Sequence, residues 1–258
     1  MANEVVLGEL GWWSLKGRRD LLRLKYWGHL VRVREDSVVK RVYRESRNRY
    51  SLFAEENWCT YTHLLLKKLD MDSVWVSEVV GGRKEWSRVC FDKMRIWEEA
   101  EWNKRRASKP KLRLYNIVKS KLEIESYLNF EVCNRYGRKL LTQLRGGMSD
   151  LRVEKGRWEG EKLEKRLCRL CFRGVEDERH FLLECEVYGG ERKKLRDGMM
   201  KKSSGVCDIA KDSDYALRVL LSGDVHAKLD LAQLWKLVKC YIVDAMRIRN
   251  RCLYLIEI

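Results

Sequence analysis

The stretch "CRLCFRGVEDERHFLLEC", residues 168–185, places three of the chain's nine cysteines and one of its four histidines within eighteen positions. Written as donors and gaps it reads Cys168, two residues, Cys171, eight residues, His180, four residues, Cys185. Two cysteines at that separation let a tight turn aim both sulfurs at one ion while turn amides donate to the thiolates. Gly174, in the intervening "FRGVEDER", can take the backbone angles that reverse the chain. His180 and Cys185 are five apart, about 140° around a regular helix, so the helix must end or distort before Cys185 for both to face the ion. Four such donors close a tetrahedral site with no open position for a catalytic water, which predicts a structural zinc ion held by Cys168, Cys171, His180 and Cys185. Phe181, Leu182 and Leu183 are the small core expected around it, and the metal is expected to supply much of that unit's folding energy.

The rest of the composition gives the metal a setting. The chain has 258 residues, 45% of them hydrophobic, which is globular rather than disordered. Fifty-four Lys and Arg against 38 Asp and Glu give a net charge of +16 and an isoelectric point near 9.5, pointing to a polyanionic partner. Neither a leader nor an apolar run of about 20 residues is recognisable, so the expectation is a nuclear or cytoplasmic protein that does not enter a membrane. In such a reducing setting clustered cysteines read as metal ligands and not as disulfides. Cys59, Cys90, Cys133, Cys207, Cys240 and Cys252 are scattered, and His29, His63 and His226 have no companion at ligand spacing, so none is assigned chemistry.

A single proline, Pro110, leaves room for long helices. From Trp12 to Arg34 a basic helix or helix pair is expected, with one apolar stripe of Leu15, Leu22, Tyr26, Leu30 and Val33. Leu21, Leu24, Trp27 and Val31 add a second apolar side, a girth that predicts burial. Arg18, Arg19, Arg23 and Lys25 lie off the stripe. Further helices are expected over Arg47–Lys68, Lys84–Ser108 and about Ala227–Cys252, the last a terminal packing helix rather than a dimerising coil. "DLRVEKGRWEG" alternates as a short strand or extended arm would. Residues 95–121 carry nine Lys or Arg against three Glu. Lys104, Arg105, Arg106, Lys109, Lys111 and Arg113 there surround Pro110, interleaved with Trp97, Trp102 and Tyr115. The pattern suits either a solvated face or a surface for stacked bases and phosphates. There is no paired-carboxylate turn for two-metal chemistry, Asp70 and Asp72 in "LDMDSVW" reading as a local cap, and no phosphate-cradling loop or Ser/His/Asp set. Catalysis is not expected.

Four segments together resemble a known family. "LGELGWWSLKGRRDLLRLKYWGHLVRV" (7–33) resembles the thumb that follows the palm in reverse transcriptases of non-LTR, LINE-type retrotransposons. "YNIVKSKLEIESYL" (115–128), "RKLLTQLRGGMSDLRVEKGRW" (138–158) and "RLCRLCFRGVEDERHFLLECEVYGGERKKL" (166–195) are similar, in the same order, to the carboxyl-terminal region of those polyproteins with its Cys-Cys-His-Cys zinc motif. The resemblance implies RNA and DNA binding during target-primed reverse transcription, with Arg18, Arg19, Arg23, Lys25 and Trp27 as thumb residues near primer and template. Two positions depart from the family's pattern: Met148, Ser149 or Asp150 stands where relatives often carry histidine, and Glu186 where proline is common. Endonuclease, fingers and palm segments are not recognisable, so polymerase activity is not carried over.

The resulting expectation is a mainly α protein in four segments: a helical thumb-like and linker region (1–110), a basic connector (111–160), a zinc-knuckle unit (161–200) and a terminal helical segment (201–258). Its expected function is non-catalytic, zinc-stabilised binding of RNA or DNA. The alternatives are a protein-interaction module built on the zinc unit and helices, or a retroelement relic without function.

Overall fold

The computed structural model describes residues 2–129, 135–201, 212–223 and 230–256. Cys133, Cys207, His226 and the expected start of the last helix at Ala227 lie outside them. The mainly α expectation holds: the protein is 75% helical and forms no strand among the described residues, only isolated bridges such as Leu167 to Val175. In place of four segments there are two compact units, Trp13–Lys104 and a second made of Met1–Trp12 with Arg105–Ile258. The segment carrying Cys168, Cys171, His180 and Cys185 belongs to the larger unit.

The larger unit begins with α1 (Asn3–Leu10), which ends on Gly11 in the left-handed region at φ 62°. A side chain there would meet the Ile124 amide at 2.4 Å, so glycine is required for this chain reversal.

In Trp13–Lys104 the expected basic helix becomes α2 (Leu15–Arg32), capped by Ser14, whose hydroxyl accepts from the Gly17 amide at 2.9 Å. The predicted Arg47–Lys68 helix is instead two, α3 (Val38–Phe53) and α4 (Trp58–Lys68). Ala54 takes the left-handed conformation at φ 52°, and Asn57 restarts the chain with a reciprocal cap to Thr60, a break that apolar periodicity does not register. Next come α5 (Asp72–Ser77) and α6 (Arg83–Ala107), the latter within one residue of expectation at each end. The side of α2 that packs is Leu24, Trp27 and Leu30; Leu15, Leu22 and Tyr26, from the stripe expected to be buried, face solvent. Trp27 stacks on Trp75 at 5.6 Å and its indole N–H donates to the Tyr43 hydroxyl, while Trp86 donates to the Leu24 carbonyl. Gly28 permits this approach, since a side chain on it would meet the Trp86 ring at 2.2 Å. Buried Lys40 donates to the Leu30 and Val31 carbonyls, satisfying acceptors at the end of α2.

The larger unit continues through α7 (Arg113–Val118), α8 (Ser126–Asn129), α9 (Arg135–Arg145), α10 (Arg152–Trp158), α11 (Gly189–Met200), α12 (Ser213–Ser222) and α13 (Leu231–Ile256). α10 corrects the strand expected for "DLRVEKGRWEG". Its alternation is real, yet Arg152 and Glu154 are buried beside Val153 through ion pairs with Glu161 and Arg157, so polarity does not mark the solvent side there. α13 packs against α9 and α11, with Leu234, Trp235, Val238, Ile242 and Ala245 buried as their spacing predicts. At the centre Arg145, fully buried, lies 2.9 Å from both Glu9 and Glu125, and Lys119 reaches Glu125 at 2.6 Å. Two cations thus meet two carboxylates without solvent, and Tyr127 donates to Glu9.

Candidate metal centre

Three local structures bring the four donors together. Residues 167–175 form a small loop closed by the Leu167 to Val175 bridge and by the Cys168 amide donating to the Gly174 carbonyl at 2.8 Å. Within it the Leu170 and Cys171 amides donate to the Cys168 sulfur, as the Cys-x-x-Cys spacing anticipates. Asp177 then caps the helical turn that carries His180, accepting from the His180 amide at 2.8 Å. From His180 to Glu184 the turn is π-helical, and the Cys185 amide donates back five residues to the His180 carbonyl at 2.8 Å. This is the distortion that the five-residue spacing demands, and it swings Cys185 onto the face His180 occupies. The carbonyls it frees find partners: Tyr241 donates to Leu182 at 2.6 Å, and Arg192 donates to Leu182 at 3.0 Å and to Cys185 at 2.7 Å.

The sulfurs of Cys168, Cys171 and Cys185 and a ring nitrogen of His180 all lie within 4.8 Å of one another, so the cluster could hold a metal ion. Tetrahedral bonds of about 2.0–2.3 Å require donor separations of roughly 3.5–3.8 Å, a contraction of about 1 Å at most. Cys171 Sγ and His180 Nε2 are 3.2 Å apart. Nε2 therefore faces the site, while Nδ1 points to Glu184 at 3.6 Å, a carboxylate placed to orient the ring. Cys168, His180 and Cys185 are buried and Cys171 half-buried. Burial pushes the Cys168 thiol up, and the Cys185 thiol up to about 12, with the Cys168 and Cys171 sulfurs beside it. A cation at the centre reverses that balance by stabilising the thiolates.

The surroundings are larger than the expected small core. Phe181 and Leu182 are buried, but they join a core that includes Tyr188, Leu195, Leu217, Trp235 and Ile242. Two ion pairs to buried carboxylates anchor the loop itself. Arg249 of α13 donates to both oxygens of Glu176 at 2.6 and 2.8 Å and to the Asp150 carbonyl at 3.0 Å. Arg113 of α7 donates to Glu178 at 2.6 Å, whose carboxyl burial nonetheless pushes up to about 7. These anchors were missed from sequence because the partners stand 73 and 65 positions apart. Only the acidic run "EDE" inside a metal loop hinted at buried cations.

Phe172 takes the left-handed region at φ 57° although 68% exposed. A bulky residue is strained there and little apolar burial would be lost on its removal. Phe172→Gly is expected to stabilise the metal-loaded protein by roughly 0.5–1 kcal/mol in chemical denaturation.

The residues expected to touch nucleic acid are divided between the two units. Arg18, Arg19, Arg23 and Lys25 are on α2, with Arg23 held to Asp20 at 3.2 Å and Lys25 half-buried. Trp27, implied as a contact by the family resemblance, is fully buried and is corrected to a core residue. Lys104 belongs to the smaller unit and Arg105, Arg106, Lys109, Lys111 and Arg113 to the larger. Several of these serve internal partners: Lys109 pairs with Glu4, Arg113 with Glu178, and Arg106 donates to Asn116 at 3.2 Å. His63, given no role, sits between Tyr50 at 2.7 Å and Asp72 at 2.6 Å. The chain matches no protein-family model, no curated protein and no solved structure.

Proposed function

We propose that this is a non-catalytic nucleic-acid-binding protein whose larger unit is held together by a structural zinc ion on Cys168, Cys171, His180 and Cys185. Three sulfurs and one imidazole suit zinc, and a set of four leaves no position for substrate. When bound, the ion supplies cross-linking of the loop, the π turn and the core beneath them. The resemblance of one segment to the thumb and of three to the carboxyl-terminal region of non-LTR reverse transcriptases supports an origin there.

The observation that carries the binding reading is how charge is divided between interior and surface. Among the described residues eight acids are buried, Glu4, Glu9, Asp20, Glu98, Glu125, Glu154, Glu176 and Glu178, against five cations, Lys40, Lys119, Arg145, Arg152 and Arg249. Folding therefore buries three more acids than cations, and the chain as a whole keeps its +16. Such an excess favours a polyphosphate through counterion release. In a titration from 50 to 200 mM salt, affinity for a mixed-sequence oligonucleotide is expected to fall at least about a hundredfold with little sequence preference. A change under threefold would contradict it.

A protein-interaction role is favoured by one separate feature. Val38, Val42, Leu52 and Phe53 are all more than half exposed along α3. Retention of a protein partner by wild type and its loss in Val42→Asp would support that reading.

A further inference from the structure

Helices α2 and α4 pack side by side, and two direct contacts between them, with a third made through Trp97 of α6, fall in one antiparallel register. At one end Lys16 and Lys68 both lie over the ring of Trp97, their Nζ atoms 5.9 and 4.2 Å from its centroid. In the middle the Arg23 guanidinium lies 6.0 Å over Tyr61. At the far end Tyr26 meets Trp58 edge to face at 5.8 Å. Each step towards higher numbers on α2 is matched by an equal step towards lower numbers on α4, so the contacts line a single seam. Lys16 and Tyr26 are ten residues apart, which makes the seam about 15 Å long.

Its composition is selective. Tyr26 and Tyr61 are 51% and 50% exposed, an unusual outlay of ring surface for a helix pair that packs well on its other side. α2 and α4 together carry Lys16, Arg18, Arg19, Arg23, Lys25, Arg32, Lys67 and Lys68 against one acid, Asp20, which is buried and paired with Arg23. Other carboxylates close to the pair are Glu56, 3.5 Å from the Tyr61 hydroxyl, Asp72, 2.6 Å from His63 of α4, and Glu98, which accepts from Ser14 at the start of α2. Exposed rings alternating with cations serve bases and phosphates at once. Rings can meet base faces only where the bases are not already stacked in a duplex, which selects an unpaired strand.

We propose that the α2–α4 seam is a binding site for unpaired nucleic acid, with bases on Tyr26 and Tyr61 and phosphates on Lys16, Arg19, Arg23 and Lys68. The proposal rests on the nucleic-acid reading above and deepens it by naming the surface and the form of the strand. Stacked at roughly 3.4 Å per nucleotide, about four nucleotides span the seam.

The test is fluorescence anisotropy on the full chain with a labelled oligothymidylate of about 12 nucleotides and a duplex of the same length. Tyr26→Ser/Tyr61→Ser is expected to weaken single-strand binding at least tenfold and leave duplex binding within twofold. Tyr26→Phe/Tyr61→Phe, which keeps both rings, is expected to bind as wild type. Lys16→Gln/Lys68→Gln is expected to lower the salt slope for the single strand by about 1.4, and it decides the matter if the serine variant loses helicity. Unchanged single-strand affinity in the serine variant, or an equal loss for strand and duplex, overturns the seam while leaving the general reading standing. Failure of wild type to bind either probe overturns both.

Discussion

His180→Ala is expected to release the metal and unfold the segment from about 163 to 197. The imidazole is one of four donors within 4.8 Å of one another, and its removal leaves three thiols facing one another in a buried loop. Structural zinc contributes on the order of 10 kcal/mol in small domains, comparable with the whole stability of a typical fold. The loop here also has Arg249 on Glu176 and a shared core, so part of the fold survives, and a melting-temperature drop of roughly 10–20 °C is expected. Elemental analysis and circular dichroism read both effects; stoichiometric metal in the variant would show that the ligand set is wrong. Acidity should mimic the variant. Because the Cys168 thiol is pushed up and the Cys185 thiol reaches about 12 without a cation, both are protonated near neutrality and must lose a proton on binding. Affinity therefore rises with pH, by at least about a hundredfold per unit for these two displaced protons, and falls as pH drops. A chelator competition between pH 6 and 8 that gave the same midpoint throughout would contradict this.

Arg145→Met is expected to cost about 3–5 kcal/mol, seen as a melting-temperature loss of roughly 6–20 °C. Arg145 is fully buried beneath Tyr115 and Tyr127, and it lies against Glu9 and Glu125 and donates to the Leu221 carbonyl. Its own guanidinium is held charged by these carboxylates despite burial. Methionine fills the volume but strands two carboxylates with Lys119 alone to balance them. Adding Glu9→Gln to the same chain removes one stranded charge and is expected to restore part of the loss. A single variant as stable as wild type would mean that the network adds nothing to the fold.

The metal ligands were legible because they lie within eighteen positions and their gaps obey local geometry; even the distortion before Cys185 followed from helix periodicity. α6 was legible for a related reason, since Trp86, Cys90, Met94 and Trp102 keep one face along most of the helix. α2 defeated the same reasoning. It is apolar on two sides, and which one packs was settled by Gly28 admitting Trp86, a contact 58 positions away in sequence. α10 was misread because its polar residues are buried in ion pairs, so its alternation carried no information about solvent. The deepest polar contacts, Arg145 with Glu9 and Arg249 with Glu176, join residues 136 and 73 positions apart, a range at which composition shows charges but not partners.

The central claim is that a metal closes the Cys168, Cys171, His180 and Cys185 loop and holds the larger unit. Elemental analysis of the purified chain, followed by chelator titration under circular dichroism, tests it most directly. The account predicts one zinc per chain, lost on chelation together with helical signal from the larger unit. A folded chain that carries no metal, or one whose helicity is indifferent to the chelator, would contradict it.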